Sequence, residues 1–171
     1  MSEAFHVGDH VSYACNGVCR VEDIRADQVG SGEKTFYILK PVADPGSTIF
    51  VPVDSAPLLA KMQPLPSRAE IDALIRSARA DAMAWEENRK IRAAQFQATI
   101  KACDLRELLR LTCCIYQHKQ QLNALGKKLP ASDDAALHRA EALIENELSF
   151  VLSLSREQVG PYIQEKLAEE A

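Results

Sequence analysis

A chain of 171 residues with net charge −4, 47% hydrophobic and 26% charged side chains, 7 Gly and 8 Pro has the composition of one globular domain or two small ones. That composition excludes a disordered chain, a collagen-like fibre and a disulfide knot, and the longest run free of Asp, Glu, Lys and Arg is only about ten residues, short of a membrane span. The opening MSEAFHVGDH has neither the basic nor the apolar region of an export signal, so a cytoplasmic location is expected.

The first sixty residues read as strands. HVSYA alternates around Val11 and Tyr13, NGVCRVEDI follows an Asn16-Gly17 turn signal, TFYILKPV is β-branched and aromatic, and STIFVPVD follows the turn ADPGS. The two glycines of VGSGEK suit a hairpin loop between the second and third strands. Four or five short strands with tight turns predict a small curled sheet or SH3-like barrel. After Val53 the period changes from 2 to 3.6, and Pro57, Pro64 and Pro66 forbid a continuous helix across the boundary, placed at residue 60. Capping pairs Ser67/Glu70, Asp104/Glu107 and Ser155/Gln158 mark helix starts, and Gly126 marks a stop. Helices are expected near 67–80, 82–102, 104–125, 132–153 and 155–169. The fold class is therefore α+β, with a β domain over 1–60 and a bundle of about five helices over 61–171.

Charge is distributed unevenly along this plan. Residues 1–60 hold four basic and eight acidic side chains, residues 76–128 eleven and five, and residues 129–171 three and nine. A basic middle segment between two acidic ones is compatible with a local polyanion contact despite the acidic total. Ala136, Leu137, Ala140, Leu143, Ile144, Leu148 and Val151 recur at helical spacing in the last third, so its acids read as a solvated face. The five cysteines, at 15, 19, 103, 113 and 114, are an odd number without CxxC spacing, which argues against a disulfide framework. His6, His10, Cys15 and Cys19 lie in a strand-like segment, where a spacing of four does not converge ligands as it does on a helix. Buried thiols and unliganded histidines are the expectation, with no metal. Neither a phosphate loop, nor G-x-S-x-G, nor H-E-x-x-H occurs, so nothing nominates an enzyme.

The chain has one tryptophan, Trp85. On the helix expected over 82–102, Arg89, Arg92 and Phe96 fall within about 40° of it and Asn88 within about 60°. Met83, Ile91, Ala94 and Ala98 fall on the opposite half, which is expected to face the core. Two readings stay open. Trp85 is a core anchor, or its ring, beside Asn88, Arg89, Lys90 and Arg92, forms a nucleic-acid surface in which cations bind phosphates and the indole stacks on or wedges between bases.

These residues also carry a resemblance. FHVGDHVSY, NGVCRVEDI, FYILKPV and TIFVPVD, in that order, resemble the amino-terminal domain of the CarD family of bacterial transcription regulators, a module that also occurs as the RNA-polymerase-interacting domain of transcription-repair coupling factor. The helical part is similar too, with a single Trp followed by N-R-K-x-R, then KACDLRELL, GKKL and an A-x-x-L-I-x-x-E-L run. The resemblance implies a Tudor- or SH3-like domain that binds the β subunit of RNA polymerase. It also implies a helical domain that meets promoter DNA at the upstream edge of the transcription bubble, where a tryptophan enters the minor groove and modulates open-complex stability. It implies no enzymatic activity, no cofactor and a monomer. Carried over by position, the DNA-contacting residues are Trp85, Asn88, Arg89, Lys90 and Arg92, and the polymerase-binding positions are Asp27, Val29 and Phe50. Some members place arginines at the positions of Asp27 and Phe50; neither is basic here. The alternative is a protein-protein adaptor with no DNA contact and Trp85 in its core.

Overall fold

The computed structural model describes residues 4–169, and the chain divides into two compact units, Met1–Leu65 and Pro66–Ala171. The first unit holds β1 (His10–Tyr13), β2 (Val18–Val29), β3 (Gly32–Pro41), β4 (Ile49–Pro52), a single helical turn α1 (Ala56–Leu59) and β5 (Met62–Pro64). All pairings are antiparallel, in the order β4-β3-β2-β1-β5. The expected curled sheet or SH3-like barrel is an open five-stranded sheet with β4 and β5 at its edges. β5 also lies beyond the boundary expected at residue 60. Tyr13 pairs with Met62, so a cut after Ala60 would strip the strand that flanks β1.

One face of the sheet buries Val11, Tyr13, Cys19, Val21, Leu39, Val51 and Met62, with Phe5, Tyr37, Leu58 and Leu59 packed around them. The Asn16-Gly17 signal becomes a 3-10 turn over Ala14–Asn16, closed by Gly17 at φ +70°. The β2–β3 loop contracts to Gly30-Ser31, because Val29 already pairs with Gly32 and Gly30 takes φ +63°. A bulge between Val21 and Asp23 inserts one residue into β2 and reverses its alternation. Val21 faces the core, yet Asp23, Arg25, Asp27 and Val29 all point to the opposite face.

Cys19 is fully buried and burial pushes its thiol up to about 11. The fold thus favours the neutral thiol. Its contribution to stability is complete below the ordinary thiol range and is lost as pH rises through about 11. Iodoacetamide at mildly alkaline pH should leave Cys19 unmodified in the native protein and label it after denaturation, as read by peptide mass; rapid native labelling would contradict this burial.

The second unit is five helices: α2 (Arg68–Ala80), α3 (Arg89–Ala102), α4 (Leu105–Ala124), α5 (Ala131–Leu152) and α6 (Arg156–Ala168). The expected starts are capped as read. Ser67 and Glu70 form a reciprocal box, Asp104 accepts from the Glu107 N–H, and the Ser155 N–H donates to Gln158. Gly126, at φ +71°, ends α4 while the Lys127 N–H returns to the Leu122 carbonyl. The core gathers Ile71 and Ile75 of α2, Phe96 and Ile100 of α3, Leu108, Leu111 and Ile115 of α4, Leu137, Ile144 and Leu148 of α5, and Val159 of α6.

The third helix departs from expectation. α3 begins at Arg89, not 82, because Asn88 caps it by accepting from the Lys90 and Ile91 N–H groups. Its buried face is Arg92, Phe96 and Ile100, while Ile91 is half exposed and Ala94 and Ala98 face solvent. The face of α3 expected to meet the core is thus the outer one, and of the face assigned to Trp85, Arg92 and Phe96 are buried while Arg89 stays exposed.

Candidate functional site

Trp85 lies in the link between α2 and α3 and is half-buried against the helical core. The His118 ring of α4 stacks on it with centroids 3.6 Å apart and planes 10° from parallel. The Arg92 guanidinium sits 4.4 Å from its centroid, and Phe96 meets it edge-on at 6.0 Å.

Arg92 holds this arrangement together. Its Nε and Nη2 donate to the two carboxylate oxygens of Asp133 at 2.9 and 2.8 Å, and Nη1 donates to the carbonyls of Glu86 and Glu87. Arg92 and Asp133 are almost completely buried, and hydrogen bonding to Asp133 holds the guanidinium proton even more firmly than usual. With four of its five N–H groups committed and the side chain buried, this guanidinium is not presented to phosphate. The expectation that Arg92 contacts DNA is corrected: it ties the link carrying Trp85 to the first turn of α5.

Asn88, Arg89 and Lys90 are exposed, although the Asn88 carboxamide oxygen is occupied as the α3 cap. Glu86 turns its carboxylate onto the Asn88 N–H, so one of the two acids beside Trp85 serves the turn. Because Asp133 sits in the first turn of α5, the Arg92–Asp133 pair draws the starts of α3 and α5 together. The exposed Lys127 and Lys128 lie in the loop leading into α5. The sequence reading missed His118, Asp133 and these lysines as site residues. A lone histidine and one acid among many carry no local signal; only the helix packing brings His118 onto Trp85, and Asp133 onto the Arg92 that touches it.

In the first unit, the sheet face opposite the core carries Phe36, Ile38 and Phe50, the last half exposed. Phe36 and Phe50 pack edge-to-face at 6.2 Å. Asp27 shares this face and pairs with Arg25 at 3.1 Å, while Val29 is exposed beside the hairpin turn. Phe50 lies on the edge strand β4. The Val53 N–H donates to the Thr35 carbonyl, so by antiparallel alternation the Val51 groups point inward and the Phe50 N–H and carbonyl point outward. Pro52 has no N–H and its carbonyl accepts from Ser55, which leaves Phe50 as the residue this edge offers.

Among the described residues, no three His, Cys, Asp or Glu side chains come together as a metal-binding set, and no helix is long and apolar enough to cross a membrane. Residues 5–65 match the family model of the CarD-like/TRCF RID domain, the RNA-polymerase-interacting domain. No curated protein matches the chain.

Proposed function

We propose, from the membership of residues 5–65 in the CarD-like/TRCF RID domain family, that the chain is a non-enzymatic transcription regulator. Its sheet unit binds the polymerase β subunit, and its helical unit contacts promoter DNA at the upstream edge of the bubble. The domain match carries the first half of this reading, and the half-exposed Phe50 on an open strand edge supports it. Where some relatives place arginines, this chain offers an aromatic pair and one outward main-chain N–H and carbonyl. That combination suits an extended partner segment that adds to the sheet and sets an apolar side chain against Phe36 and Phe50. Titrating the full chain against the polymerase β subunit tests this. Phe50→Ala should weaken binding by about 2 kcal/mol, roughly thirtyfold in Kd, as for aromatic anchors at other interfaces. Wild-type binding should change little with salt, since Arg25, which shares this face, is paired with Asp27. Full affinity in the variant, or a steep salt dependence, would move the contact elsewhere.

The second half rests on Trp85 among exposed cations. Arg89 and Lys90, with Lys127 and Lys128, supply phosphate contacts, and the ring supplies a surface for unstacked bases. Mechanistically, contacts made only with the opened strands shift the equilibrium toward the open complex. DNA binding by the protein alone should be weak. Its log K should fall with log salt at a slope between about 2 and 4, at roughly 0.9 per phosphate neutralised. A slope implying about eight ion pairs would contradict so small a cationic set. The half-burial of Trp85 favours a second reading, an adaptor that touches no DNA, which the Trp85 variant discussed below separates.

A further inference from the structure

We propose that His118 is a positioning residue for Trp85: its imidazole holds one face of the indole, so that the ring meets DNA along a preset edge rather than as a freely rotating side chain. Three observations meet here. The indole belongs to a link with no helical hydrogen bonds of its own, so its direction is set by what it touches. The imidazole lies 3.6 Å from the indole, nearly parallel, and comes from α4, whose neighbouring residues Cys114 and Ile115 are buried. The Arg92 guanidinium, fixed by Asp133, lies 4.4 Å from the same ring and also holds the carbonyls of Glu86 and Glu87. Two groups anchored on different helices thus fix one ring. Arg92 does so as part of the packing, whereas His118 is only half-buried and makes its described ring contact with Trp85 alone. His118 is therefore the member that can be changed without opening the core.

The proposal rests on the DNA-contacting reading of Trp85, and spectroscopy tests the stack independently of it. Trp85 is the only tryptophan, so emission excited at the indole band reports on this ring. In the full-length protein, His118→Ala should shift that emission to the red and raise its accessibility to a neutral quencher, with the circular dichroism unchanged. Open-complex lifetime should fall about two- to tenfold, the range corresponding to loss of one aromatic stack. His118→Phe, which can still stack, should restore both. Adding His118→Ala to Trp85→Ala should produce no further loss, since both act through one ring. Unchanged emission in His118→Ala would overturn the stack itself. Changed emission with an unchanged lifetime, when Trp85→Ala does shorten it, would overturn the positioning role and leave the DNA reading standing. If Trp85→Ala leaves the lifetime intact, the DNA reading fails and the positioning role with it.

Discussion

Arg92→Ala should destabilise the helical unit by about 3–5 kcal/mol, because it leaves the Asp133 carboxylate buried without its partner. The side chains of Arg92 and Asp133 are 5% and 3% exposed, so water cannot replace the lost hydrogen bonds without opening the packing. The carbonyls of Glu86 and Glu87 lose their donor in the same step. Arg92→Lys should recover little, since a single ammonium cannot bridge two carboxylate oxygens while also reaching two carbonyls. Replacing both partners, as in Arg92→Met with Asp133→Leu, should recover much of the loss, because no charge is then stranded. Urea unfolding followed by circular dichroism measures this. An Arg92→Ala protein as stable as the parent but weaker on DNA would instead make Arg92 a phosphate contact.

Trp85→Ala should have the largest functional effect at a smaller structural one. A fully buried tryptophan costs about 3–5 kcal/mol on truncation. Trp85 is half-buried, and its stack on His118 and its contact with Phe96 are at the edge of the core, so about 1–2 kcal/mol is expected. Open-complex lifetime should fall about tenfold or more, because opening a base step costs a few kcal/mol and the ring offsets that cost. Binding to the polymerase β subunit should be unchanged, since the proposed contact lies in residues 5–65, which match the RID domain. Loss of 3–5 kcal/mol with an unaltered open complex would select the adaptor reading, with the indole as a structural anchor.

What the sequence determined by itself is local or periodic. The change from strand to helix, the capped starts at Ser67, Asp104 and Ser155, the stop at Gly126 and the two-part plan are legible because neighbouring residues settle them. Phe50 could be placed on a strand for the same reason, whereas Val29, read as part of the hairpin loop, is the last residue of β2; the resemblance over the first sixty-odd residues pointed to the domain that residues 5–65 match. Other features depended on partners far along the chain. The bulge beside Glu22 decides which face Arg25, Asp27 and Val29 occupy, and strand composition does not reveal an added residue. β5 reads as part of a proline-rich link until Met62 finds Tyr13. At Trp85 a helical wheel assumed a helix that Asn88 delays to Arg89, and so turned the faces of α3 around. Only the packing of α5 against α3 reveals that Arg92 is charged inside the core: its partner Asp133 is 41 residues away, and a buried charge is stable there solely because that carboxylate and two link carbonyls surround it.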